Sequence, residues 1–375
     1  MKLRACSSVL VTAALTLAPT AAASPARAGE RPFLDRLNTV STVASTVPEN
    51  GDVNPYGVFT IQESTGDLRR GNVLVSNFNN AANPPAGEQG LGTTLVQITP
   101  DGTRTTFATI DPNNLPGPCP GGVGLTTALT VLPGGWVVVG SLPTADGTSD
   151  TAQAGCLLVL DKQGTVRETI AGDGINGPWD MTAVSSGERS ELFVTNVLNG
   201  TVAGGGAQVD QGTVLRITLC TEEGGLPQRV ATTEIGSGFP ERTDPAALVV
   251  GPTGVGLGHD GTLFVADTVL SRITAIPHAL TRQDSAGIGR VVTSGGALNG
   301  PLGMALTPRG DILTVNGGDG NIVETTPAGR QVAVKPINNE GTPPGAGALF
   351  GLSLDLDGDA VYFVNDADNV LDVLH

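Results

Sequence analysis

Along most of the chain, apolar or β-branched runs of two to six residues alternate with short segments rich in Gly, Asp, Asn and Pro. Such runs are too short for helices and are punctuated like hairpins, so they predict strands. One pattern returns six times: two or three apolar or β-branched residues, a small residue, then Asn, Asp or Ser. It ends at Asn77, Ser141, Asn196, Asp267, Asn316 and Asn365, with gaps of 64, 55, 71, 49 and 49 positions. The equal final gaps point to a unit of about fifty residues that carries insertions in its earlier copies.

The neighbours of each copy also repeat. A short apolar run and a turn precede it, as in 302–306 followed by Thr307-Pro308-Arg309-Gly310. A further strand with a Gly turn follows it, as in 322–326 before Pro327-Ala328-Gly329, and then a fourth β-rich piece such as 331–334. Four short strands per unit with Gly at the hairpins describe a propeller blade. The expected fold is therefore all-β: a single six-bladed β-propeller over 29–375, with blades near 56–110, 123–171, 178–236, 252–294, 301–337 and 349–375. The sixth unit stops after its third strand. The β-branched segment 39–47 is expected to supply the missing outer strand and close the ring, which removes an exposed sheet edge.

Within the fourth unit, Asp260-Gly261-Thr262-Leu263-Phe264-Val265-Ala266-Asp267 followed by Arg272-Ile273 resembles an NHL-type repeat. Residues 39–375 are similar to secreted bacterial NHL-repeat proteins and to the SMP-30/gluconolactonase-like six-bladed propellers. The resemblance implies the propeller. It also implies, as one possible activity, a divalent-metal-dependent lactonase or esterase whose ion is held in the central channel by Glu, Asn and Asp.

In those lactonases the Asn commonly sits in a Pro-Asn-Gly that opens an inner strand. The matching triplets here are Pro178-Trp179-Asp180, Pro252-Thr253-Gly254 and Pro301-Leu302-Gly303, none with Asn in the middle. Asp180, Asn196 and Asp267 remain as an oxygen set suited to Ca²⁺ or Mg²⁺.

In a propeller the inner strand starts at one face, here the top, and the second strand returns to it. Asn77, Ser141, Asn196, Asp267, Asn316 and Asn365 all end second strands, so they should share the top face. They would form either a polar ring for a ligand or caps for the turns that follow. Long insertions at 77–92, 141–155 and 196–212 place a candidate ligand site over blades 1–3, within reach of Asn79, Asn80, Trp179, Asp180 and Asn199. Trp179 fits a site or a plain core position equally well.

Composition narrows the rest. Gly (53 residues) and Pro (26) fit a series of hairpins, and the scarcity of aromatics (3%) weakens a sugar-stacking role. Residues 1–28 read as a secretory signal peptide: Lys2 and Arg4, then the apolar stretch 9–18, then small-residue cleavage sites after Ala23 or Ala28, of which Ala28 is preferred. Cleavage there removes three basic residues (Lys2, Arg4, Arg27) and no acid, so the formal charge moves from −16 to −19. A surface so negative disfavours nucleic acid and anionic membrane as partners. The expectation is an exported monomer that meets a small molecule or another extracellular ligand.

Three cysteines follow the leader. Cys119 lies just before the first strand of blade 2 and Cys156 begins its third strand, so both should stand at the top of one blade and form a disulfide; Cys220 should be buried and free. His259, His278 and His375 are too scattered for a zinc site or a histidine base, and no GxSxG nucleophile motif occurs. The segment 254–258 lacks the helix a dinucleotide loop needs, and Asp355-Leu356-Asp357-Gly358-Asp359 fits a hairpin turn better than a calcium loop.

Overall fold

A computed structural model describes residues 31–82 and 87–375. The signal peptide, both cleavage sites and Cys6 lie outside the described residues.

The described strands form six antiparallel sheets arranged as the blades of a propeller. Inner strands are Val53–Thr60, Leu125–Leu132, Pro178–Ser186, Pro252–Leu257, Pro301–Leu306 and Leu349–Leu354, for blades 1 to 6 in order. Second strands are Val73–Asn79, Trp136–Ser141, Arg189–Asn196, Leu263–Asp267, Ile312–Asn316 and Val361–Asn365. In blade 6, Val40–Ser45 pairs antiparallel with Val370–Leu374, the order of the sheet running from that first strand to the third, second and inner ones.

Strand chemistry follows position. The second strand Val73–Asn79 is buried along its whole length, and its residues are correspondingly apolar or small. The outer strand Arg104–Thr109 mixes buried Phe107 and Ala108 with exposed polar positions, as expected of a half-covered edge. Between blades the faces pack into separate apolar clusters, such as Leu74, Leu95 and Leu158 between blades 1 and 2. Cys119 and Cys156 are joined in a disulfide, with a sequence separation of 37. Cys220 is buried but disulfide-bonded, which corrects the expectation of a free thiol.

Blade 3 departs from the four-strand pattern. Its fourth strand, Gln228–Asp244, runs on for 17 residues and turns back through Leu248–Val250, which pairs with Arg242–Asp244. Gly238, at φ +77°, breaks the pairing register and lets the strand continue past the blade and over the top face. The apolar residues Phe239, Leu248 and Val249 are thereby carried inward and buried.

Candidate functional site

Every inner strand is bulged at the same height. Pairing with the second strand skips between Pro55 and Val58, Leu125 and Leu129, Pro178 and Met181, Pro252 and Val255, Pro301 and Met304, and Leu349 and Leu352. A bulge bends the strand and re-aims its side chains. Here it gives each blade an upper and a lower residue near the propeller axis.

The upper residues close the channel at the top. Tyr56, Trp179, Leu302 and Phe350 are buried together with Leu142, Leu248 and Val249. Tyr56 stacks on Phe350 with ring centroids 4.0 Å apart and on Phe78 at 4.4 Å. The indole N–H of Trp179 donates to the Val249 carbonyl at 3.2 Å, fixing the blade 3 hairpin over the plug. Insertions from blades 1 and 2 interlock with the hairpin: Thr144 donates to the Gln89 carbonyl, and the Gln89 amide donates to the Pro245 carbonyl.

The lower residues are Gly57, Gly254, Gly303 and Gly351 in blades 1, 4, 5 and 6. Glycine is required because neighbouring inner strands touch: a Cβ on Gly303 would lie 2.1 Å from the Phe350 carbonyl oxygen, and one on Gly351 2.2 Å from that of Tyr56. Blades 2 and 3 are the exceptions. Blade 3 carries Asp180, and blade 2, whose bulge is one residue longer, presents Thr127.

Below this ring the axis is hollow. A cavity of about 310 Å³ runs from Asp180, Thr127, Gly303 and Gly351 down to Leu257, Leu306, Leu354, Asp355 and Gln62 at the bottom ends of the inner strands. Closed by the plug above, it is a blind channel that opens on the bottom face. Among the described residues, Asp180 and Asp355 are the only ionisable side chains that line it, and no cationic one does.

Asp180 is 7% exposed. One carboxyl oxygen accepts the Met181 N–H at 2.8 Å and the other the Val255 N–H of the next blade at 3.2 Å. Burial nevertheless prevails over these two donors and pushes its pKa up to about 8. Thr127 is buried, and its hydroxyl has no partner within the protein. The closed end thus offers a protonated carboxyl, while the unpaired Thr127 hydroxyl oxygen beside it is itself buried.

The residues that end the second strands stand at the top face, where each side chain makes a hydrogen bond within the protein, while Asn77 Oδ1 and Asn316 Oδ1 are buried without a partner. Asn77 donates to the Thr46 carbonyl, Ser141 to that of Gly122 and Asn316 to that of Ala297; Asn196 accepts from the Asn176 N–H, and Asn365 from the Asn338 amide. Each bond ties a second strand to the segment arriving from the preceding blade. Asp267 holds Arg272 at 2.6 Å and accepts the Leu270 N–H. Asn79 accepts from the Asn54 amide, Asn80 from the backbone of Ala82 and Glu88, and Asn199 from the Asn176 amide.

The oxygen set expected for a divalent ion is not gathered. Asp180 faces the channel, Asn196 accepts the Asn176 N–H of the segment before blade 3, and the Asp267 carboxylate is neutralised by Arg272. The upper bulge positions, where the lactonase resemblance would put a ligand, hold Tyr56, Trp179, Thr253, Leu302 and Phe350. Among the described residues no three His, Cys, Asp or Glu side chains cluster. These residues do not fit a resident cation.

Thr127 escaped the sequence reading. Its signal was available in the alignment of Pro55-Tyr56-Gly57 with the other inner-strand openings, in which Gly recurs except in blades 2 and 3.

No protein-family model matches the chain, and no curated protein does. Solved structures do. A protein described as a gluconolactonase superposes with a TM-score of 0.56 at 14% identity, over 92% of this chain and 96% of its own. Virginiamycin B lyase from Staphylococcus aureus gives 0.52 at 15% identity, over 90% and 99%. Regucalcin from Agrobacterium tumefaciens, described as calcium-binding, gives 0.50 at 12% identity, over 89% and 93%. Proteins of such different description share the fold, and at these identities the likeness concerns the fold alone.

Proposed function

We propose that the protein is an exported ligand-binding propeller whose site is the blind central channel, entered from the bottom face and ending at Asp180 and Thr127. The observation that carries this reading is the lower bulge ring. Four blades have Gly at that height, and the two residues that remain, Asp180 with its buried carboxyl and Thr127, both line one cavity. Export fits the Cys119–Cys156 disulfide. We read the protein as a monomer that takes a small extracellular ligand.

A site on the top face over blades 1–3 has less support, because Asn79, Asn80, Ser141, Asn196 and Asn199 there hydrogen-bond within the protein, and the Asn77 Oδ1 that has no partner is buried away from the channel. The alternative of a Ca²⁺- or Mg²⁺-dependent lactonase or esterase rests on fold likeness, and the donor set does not favour it.

Met181 and Met304 both line the channel, so methyl-labelled methionine gives two reporters inside it. A fragment screen followed by methyl NMR should find compounds that shift both signals. Thr182→Phe, placed on the channel wall, should abolish those shifts. Compounds that leave both methyls unmoved, or that shift them equally in the blocked variant, would sink the reading.

A further inference from the structure

Resting on the channel reading, we infer that the ligand class is a linear aliphatic diamine, with one ammonium at Asp180 and the other at Asp355. Among the described residues, the two ionisable groups lining the channel are both carboxyl groups, one at the closed end and one at the mouth, and no Lys, Arg or His opposes them. A carboxylate, phosphate or sulfate ligand would pay desolvation and meet no cationic partner there. A cation meets acceptors at both ends.

The closed end suits an ammonium in detail. Each Asp180 oxygen accepts one backbone N–H and keeps acceptor capacity for the N–H donors of a primary ammonium. Between the ends the wall is supplied by Val58, Met181, Leu257, Met304 and Leu352, which suit methylene groups.

The length follows from the strand. Gly351 is level with Asp180, and Asp355 comes four residues later, a rise of roughly 13 Å. Asp355 already accepts the N–H groups of Asp359 and Ala360, which hold its carboxylate at the mouth.

Proton balance provides an independent reading. In the free protein the Asp180 carboxyl is protonated at pH 7, its pKa standing at about 8. Docking of an ammonium favours the carboxylate, so one proton leaves to solvent for each ligand bound. No charged group contributes to the Asp180 shift, and Asp355 is the other titratable side chain on the channel wall.

The test is calorimetric titration of the purified protein with 1,4-diaminobutane through 1,10-diaminodecane, beside diols and monoamines of matched length. Titrations in buffers of different ionisation enthalpy count protons. Diamines should bind with release approaching one proton at pH 7 and falling toward none at pH 9, and affinity should rise with length up to the span. Asp180→Asn should weaken diamines by at least about thirtyfold, the loss expected when one partner of a buried charge pair is removed. Asp355→Asn should lower a diamine to the affinity of its monoamine and leave the monoamine unchanged. This second variant lies at the half-exposed mouth and keeps the test open if Asp180→Asn misfolds.

Diols that bind as tightly as diamines, or an Asp180→Asn variant with unchanged diamine affinity, overturn the diamine assignment and leave the channel standing. If no member of any series shifts the Met181 and Met304 methyls, the channel reading falls with it.

Discussion

The indole N–H of Trp179 and the carbonyl of Val249 are joined across 70 positions of sequence by one buried hydrogen bond of 3.2 Å. This bond fastens the long blade 3 hairpin to the aromatic plug and so makes the channel blind. Trp179→Phe keeps an aromatic ring in the plug but strands the Val249 carbonyl, a cost of about 1–3 kcal/mol. Trp179→Ala also opens a large void and should cost about 3–5 kcal/mol. Urea denaturation followed by circular dichroism measures both, and an alanine variant within about 0.5 kcal/mol of the parent, the range of surface changes, would contradict the plug.

The glycine ring predicts a sharp contrast between two Gly→Ala changes. A Cβ on Gly303 meets the Phe350 carbonyl oxygen at 2.1 Å, so the inner strands of blades 5 and 6 must separate, at about 3 kcal/mol or more. Gly310 sits in a hairpin turn at φ +86° with nothing within 4 Å of its would-be Cβ, so its cost is the backbone term of about 1–2 kcal/mol. Equal losses in the two variants would show that strand contact at the ring is not what demands glycine.

The propeller was legible because each blade repeats one pattern of apolar runs and Gly turns, and a pattern that recurs six times outweighs errors in any single strand. The recurring Asn, Ser and Asp were legible as a set sharing one face. Their use was not. Whether Asn77 meets a ligand or the Thr46 carbonyl depends on where the preceding connection lies, and no local signal specifies that. The open end of the channel was equally hidden, since it turns on Leu248 and Val249, which read as ordinary strand residues until the hairpin carries them over the axis. Asp180 was identified as a candidate, but for a cation set that Asp267, held by Arg272, does not complete.

Glu241 makes the hairpin sensitive to pH. Its side chain is buried, one carboxyl oxygen accepts the Asn199 N–H, and the other has no partner. Burial outweighs that single donor and raises its pKa from 4.5 to about 8. An acid with a raised pKa in the folded state binds more protons folded than unfolded between those two values, so stability falls as pH rises through that window. Asp366, pushed by burial to about 7, acts in the same direction. Glu241→Gln removes one ionisation while retaining an acceptor for Asn199. It should raise the melting temperature at pH 8.5, by a stability gain on the order of 2 kcal/mol, and change little at pH 4.5. A gain that is the same at both pH values would mean that ionisation of Glu241 is not its source.

Closure of the ring depends on a strand from the opposite end of the chain. Val40–Ser45 covers Val370–Leu374, and the next residue, Thr46, accepts from the Asn77 amide in blade 1, so this one segment links the last blade to the first. Without it the third strand of blade 6 becomes an exposed edge with unpaired N–H and C=O groups and apolar Leu371 and Leu374 beside them. Removal of residues 31–46 should therefore lower the melting temperature by more than 10 °C and produce dimers or aggregates on size-exclusion chromatography. A synthetic peptide of residues 38–47 added in trans should reverse part of both effects, because it restores the missing ladder without restoring the chain connection. Ser41→Pro, which removes a backbone donor facing Val373, should reproduce a smaller loss of about 1–3 kcal/mol. A truncated protein that stays monomeric with an unchanged melting temperature would show that the propeller holds its ring shut through the contacts between blades alone.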